Sequence, residues 1–249
     1  MRAGLLWERS TVGLAATVLF LLCFSTLSWA QPYREQNAEA TIGTVAVRLV
    51  GPPDFHRIDG LDRYLDNILL AAQSPAAAIL AIYAEPKAWK KFQADGRDET
   101  GLDCHAIIST PAPLADSEIS QDDFARIKKD LAQDFQAAIG RNRVLDEALA
   151  GISDHQLEKA QSRLENFEIL AEGPDFISHR LTSLLELKLK GQSASRINHS
   201  STVVSTLLLE GKILNLQLDS NWFDQDALAQ IGLRWRESFL KANLRNTEH

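Results

Sequence analysis

Cysteine is nearly absent from this chain of 249 residues, with only Cys23 and Cys104. Cys23 falls in an N-terminal apolar run that reads as a removable leader, so Cys104 stands alone in the remainder and no internal disulfide can form there. Stability then has to come from an apolar core. Surplus positive charge is also missing. The formal charge is −7, and removing residues 1–30 takes away Arg2, Arg9 and Glu8 and moves it to −8. Such a chain has no general electrostatic attraction for nucleic acid or for anionic lipid. No HExxH, GxSxG, GxxxxGK or GxGxxG pattern occurs, and the histidines are scattered singly. A zinc site, an acyl-hydrolase elbow and a phosphate loop therefore have no local support, and no metal or cofactor is expected. No Pro/Gly/Ser linker divides the chain, so one domain is expected.

The leader is the clearest feature present. Arg2 and Arg9 precede the apolar run Thr11 to Phe24, and Ser28 and Ala30 sit where a signal peptidase selects small residues, which places cleavage before Gln31. Phe20-Leu21-Leu22 before Cys23 offers no small residue for lipid attachment. The rival reading is an uncleaved inner-membrane anchor over Thr11 to Ala30, which is long enough to cross a bilayer. Export without disulfides points to the bacterial periplasm or the extracellular space.

Residues 31–40 read as a flexible tether, 41–243 as one domain and 244–249 as a disordered tail. In TIGTVAVRLV, Val45, Val47 and Leu49 alternate with polar or small residues, the period of a strand. Asp59 is placed to cap a helix carrying Leu61, Leu65, Ile68 and Ala72. AAAILAIYA reads as a central strand covered on both faces. Pro86 opens a short helix with Trp89 and Phe92, and CHAIIST is a further strand. Ser120 caps a helix over Gln121 to Ile139 with Phe124, Ile127, Leu131, Phe135 and Ile139 as its buried stripe. A weaker helical pattern covers Arg143 to Glu165, broken near Gly151. LTSLLELKLKG, STVVSTLLLE and ILNLQLDS are strands, the last two joined by a turn at Glu210-Gly211. Asp224 caps a closing helix over Gln225 to Ala242 that buries Leu228, Ile231, Trp235 and Phe239 and carries Arg234, Arg236 and Lys241 toward its negative end. The fold class is α+β, a mostly antiparallel sheet packed by two long amphipathic helices.

The closing β-meander, its EGK hairpin and the last helix (roughly Leu181 to Asn243), with the opening strand into Gly51-Pro52-Pro53-Asp54-Phe55, resemble Mog1/PsbP-like α/β sandwich domains. The resemblance covers about a third of the chain, through element order, and departs from the family in a helix after only one strand. It implies an exported, non-catalytic accessory or assembly domain, and it brings no catalytic residues with it.

Candidate chemistry is sparse. In Leu102-Asp103-Cys104-His105 a strand sends Cys104 and His105 to opposite faces, so they cannot act as a dyad, and a lone cysteine at a strand's start is a core residue. Asp95, Asp98, Glu99 and Asp103 lack the donor spacing of a calcium loop. Glu118, Asp122 and Asp123 are explained by a helix start, and Trp222 and Phe223 by a staple at the last helix. His56 and His179 each follow a loop signal, and either one with a loop aspartate such as Asp54 or Asp175 is the candidate His/Asp set of a dispersed hydrolase site. Three readings stay open: a non-enzymatic domain that binds an envelope protein or component, such a hydrolase, and a carrier of an apolar ligand between sheet and helices.

Overall fold

The computed structural model describes residues 38–62, 77–95, 102–140, 142–144, 157–189, 196–221 and 224–244. The leader, most of the first expected helix (Leu65, Ile68 and Ala72), Asp98, Glu99, the stretch around Gly151, Trp222 and Phe223 all lie outside these residues.

Ten strands and three helices occur among the described residues. β1 (Ala38–Ile42) and β2 (Val45–Leu49) form a two-stranded sheet. β3 (His56–Arg57), β4 (Ala77–Ala84), β5 (Cys104–Pro111), β6 (Asn142–Val144), β7 (Leu157–Gly173), β8 (Phe176–Leu189), β9 (Arg196–Leu209) and β10 (Lys212–Ser220) form one sheet. Its order is β3-β4-β5-β10-β9-β8-β7-β6, and every pairing is antiparallel. The helices are α1 (Pro86–Asp95), α2 (Gln121–Ala138) and α3 (Gln225–Leu244). The α+β class with a mostly antiparallel sheet is therefore correct.

The register explains the two faces. Leu214, Leu216 and Leu218 of β10 lie beside Leu207 and Val203 of β9 and Ile108 and Ala106 of β5, all buried. On this face α3 buries Leu228, Trp235 and Phe239. Its Gly232 comes so close to β9 that a Cβ there would lie 2.5 Å from Val203 Cγ1. Asp224 caps α3 as expected, its Oδ1 accepting from the amides of Asp226 (3.0 Å) and Ala227 (2.8 Å). Arg236 is not among the solvated cations: it is buried, stacks on Phe176 at 4.2 Å and donates to Ser178 Oγ at 3.1 Å.

The opposite face meets α2. Phe124 is fully buried and packs with Leu208 and Ile213, while Ile127, Leu131, Phe135 and Ile139 are only half-buried. Ser120 caps the helix by accepting from the Asp123 amide at 3.1 Å. Lys128, an unexpected member of the inner stripe, donates to Gly173 O at 2.6 Å and pairs with Glu172 at 3.1 Å. Gly140 (φ +75°) follows the helix, and its amide donates to Leu164 O at 2.8 Å.

Four expectations need correction. Arg143 to Glu165 is not helical where described, since β6 and β7 occupy its ends. Helix propensities differ by well under 1 kcal/mol per residue, and the long β7 ladder with β8, running from Leu157↔Leu189 to Gly173↔Phe176, outweighs them. β6 pairs only Gln161–Arg163 of β7, so Glu165, Glu168 and Glu172, together with the ladder's register shifts, suit the part of β7 that β6 leaves uncovered. Ala38–Ala40, read as tether, begin β1, because a hairpin through Gly43 (φ +58°) pairs them with β2. β4 is not central. β3 covers only its end at Tyr83 and Ala84, so Ala77–Leu80 stay half-buried. The helix expected after Asp59 lies outside the described residues; within them, the Asp59 carboxylate accepts from Arg57 Nε at 2.7 Å and from the Ile82 amide at 3.3 Å. The last helix also continues to Leu244.

The β1–β2 sheet is fastened by side chains instead of a ladder. Val45, Val47 and Leu49 enter the main core. The outward backbone of β2 is met by Asn243, which accepts from Arg48 N (2.8 Å) and donates to Arg48 O (3.1 Å) and Phe239 O (3.0 Å). Tyr83 Oη donates to Leu49 O at 2.9 Å, and Trp235 Nε1 to Val50 O at 2.7 Å.

Candidate functional site

Cys104 and His105 point to opposite faces, as strand geometry requires. Cys104 is fully buried, and burial pushes its thiol up to about 12, against a smaller lowering by a hydrogen bond from Ser220. A thiol held protonated at neutral pH is a poor nucleophile.

His105 stands on the α2 side of the sheet, opposite its register partner Asp219 on β10. Its Nε2 lies 3.5 Å from Asp219 Oδ2, and its Nδ1 lies 3.2 Å from Leu102 O. Asp219 also accepts from Thr202 Oγ1 (2.6 Å) and Gln217 Nε2 (2.8 Å), while Thr206 Oγ1 donates to Asn215 Oδ1 (2.9 Å). This polar ladder crosses β5, β10 and β9. The alternation Asn215, Gln217, Asp219 marks one side of β10 as polar in the sequence, but nothing local reveals that His105 meets it. Both imidazole nitrogens are directed at protein acceptors, Asp219 and the Leu102 carbonyl, and not at a hydroxyl or thiol.

The expected His/Asp pairs are not brought together. Asp54 occupies an exposed turn at φ +66°, while the half-buried His56 sits on β3 opposite Ala84. His179 is 1% exposed, and Asp175 in the β7–β8 turn accepts from Gln121 Nε2. His179 Nδ1 has no hydrogen-bond partner among the described residues. Burial alone drives its pKa down to about 4, so the ring is neutral at pH 7. Asp103 of the acidic stretch pairs with Lys91 at 2.6 Å. Among the described residues no three His, Cys, Asp or Glu side chains converge to hold a metal ion.

A cavity lies at one end of the sheet, where three turns converge. It has a volume of ≈ 470 Å³ and is lined by the Gly43–Val45 turn, Asp116, Glu118, Glu210 and Lys212. The β9–β10 connection forms one wall: Glu210 (φ +47°) and Gly211 (φ +76°) make the two-residue turn that fits the twist of a hairpin. Asp116, Glu118 and Glu210 are exposed, whereas Lys212 is buried and donates to Ser117 O at 2.8 Å. Lys212 is thus committed to the loop that carries two of the carboxylates. The sequence offered no sign of this, because the three turns are far apart along the chain. A scan against models of known protein families returns no match, and neither does a search of curated proteins.

Proposed function

We propose that the chain is an exported, non-enzymatic domain that binds a partner protein or envelope component, and that its sheet end is the surface used. The observation that carries this reading is the cavity rimmed by Asp116, Glu118 and Glu210 over the tied-off Lys212. Three exposed carboxylates on turns held by a rigid sheet suit a partner that presents cationic side chains. The hydrolase alternative is disfavoured by the sealed Cys104, the separated His/Asp candidates and the doubly engaged His105. A carboxylate-lined opening is likewise a poor entry for an apolar ligand. The likeness of the closing meander and helix to Mog1/PsbP-like domains implies an accessory role and supports the same reading. The three-part leader supports export. Among the described residues no helix is long and apolar enough to cross a membrane.

The test places a photo-crosslinking residue at Glu118 or Glu210 in the full chain within cells, with Arg126 on the exposed side of α2 as control. A discrete adduct at the turn positions is expected, weakened by salt and lost with Asp116→Lys, or with Asp116→Lys/Glu118→Lys where the crosslinker sits at Glu210. An adduct that survives charge reversal, or none beyond the control, overturns the reading. N-terminal sequencing of the accumulated protein tests export, and a start at Gln31 is expected.

A further inference from the structure

α2 holds the sheet by few contacts. Phe124 is its one fully buried apolar residue, Gln121 donates to Asp175 at its start, Lys128 bonds Gly173 O and Glu172, and Phe135 holds its C-terminal half. Phe135 stacks on Phe167 of β7 at 5.3 Å and leans on the His179 ring at 5.2 Å, and Phe167 meets the same ring at 5.4 Å. A buried imidazole with an unpartnered Nδ1 therefore forms the floor under the C-terminal half of the helix.

We propose that His179 is an acid-sensitive latch, whose protonation loosens α2 from the sheet and uncovers Phe135 and Phe167. The described groups around it cannot accommodate a charge. Phe135 comes from α2, Phe167 and the register partner Ile169 from β7, and Val204 from β9. The charged groups of these elements are engaged elsewhere. Lys128 of α2 is held by Gly173 O and Glu172, Glu168 of β7 by Arg180, and Glu165 of β7 faces Arg163 and His199. The other charged residues of α2 lie on its outer side or at its cap. Protonation would place an N–H on Nδ1, which has no acceptor among the described residues, together with a positive charge beside apolar groups, and the escape open to His179 is to reach water by displacing Phe135. The device is local because α3 and the leucine face of the sheet carry the main core on the other side.

The sign is fixed by the depressed pKa. The closed form binds His179's proton near pH 4 and the opened form near its ordinary value of 6.5, so the closed form is favoured above pH 6.5 and loses ground as pH falls toward 4. The opening equilibrium of α2 should rise about thirty-fold between pH 7.5 and pH 5 on these two values. Hydrogen exchange on the full chain, corrected for intrinsic rates, reads this directly. Peptides spanning 121–139 should exchange about thirty-fold faster at pH 5, while those of β10 stay protected. His179→Leu should abolish the acceleration, and an NMR titration of wild-type His179 should show its proton uptake near pH 4. Equal acceleration in His179→Leu, simultaneous loss of β10 protection, or an ordinary titration of His179 near 6.5 would each overturn the latch.

Discussion

Replacing Asn243 by alanine removes the one side chain that meets the outward backbone of β2 at both its donor and its acceptor. Three hydrogen bonds go: from Arg48 N at 2.8 Å, to Arg48 O at 3.1 Å and to Phe239 O at 3.0 Å. Each such bond is worth about 1 kcal/mol net, and a buried group left without a partner loses about 1–3 kcal/mol. Arg48 lies near the surface, its side chain 47% exposed, so water can rescue part of the loss there. The expected cost is therefore about 2–4 kcal/mol, or a fall in Tm of roughly 5–15 °C for a domain of this size. Urea unfolding followed by circular dichroism measures it, and an unchanged m-value would show that the folded and unfolded states keep their extents. Exchange of the Arg48 amide should accelerate more than that of Leu207 in β9. A loss below about 1 kcal/mol would refute the reasoning and mean that β1–β2 is held by Val45, Val47 and Leu49 alone.

Other substitutions probe the remaining contacts. Gly232→Ala should destabilise by about 1–3 kcal/mol through overpacking, despite the better helix propensity of alanine, and Val203→Ala in the same chain should recover part of it in a thermal melt. Tyr83→Phe orphans Leu49 O and should lower stability by about 1–2 kcal/mol in urea titration. Cys104, with its thiol pushed up to about 12 by burial, should resist iodoacetamide in the native chain at pH 8 and react on unfolding; rapid native labelling would contradict its place in the core. Lys128→Met keeps the buried stem but loses Gly173 O and Glu172, so α2 should exchange faster at all pH values with its pH slope unchanged.

The sequence showed best what local chemistry decides. Ser120 and Asp224 cap their helices, the Glu210-Gly211 turn adopts the positive φ pair of a tight hairpin, and Val45, Val47 and Leu49 face inward. Phe124, Leu228 and Trp235 are buried as their helical spacing demanded, and Cys104 is a core residue on the face opposite His105. It failed where the partner lies far along the chain. Nothing local in Leu157–Gly173 reveals that β8 will pair with it for its whole length, so its first part, as far as Glu165, reads as the end of a helical stretch. His105 and Asp219 are 114 residues apart in sequence number and neighbours only by register. The cavity end likewise exists only once three separate turns have been brought to one end of the sheet.

The two helices show why their roles should differ. α3 buries seven residues, reaches across to β2 through Asn243 and Trp235, and comes close enough at Gly232 to touch the sheet backbone's own side chains. α2 fully buries only Phe124 and Lys128, and half-buries the rest of its apolar stripe. The energy of opening a segment follows the apolar area and hydrogen bonds it gives up, so α2 must open at far lower cost than α3. A titratable ring placed under α3, beneath Trp235 and Phe239, would shift global stability with pH. Placed under α2, as His179 is, the same protonation acts on an element already near the low end of the stability range, and the result is a local opening that leaves the carboxylate-rimmed sheet end in place.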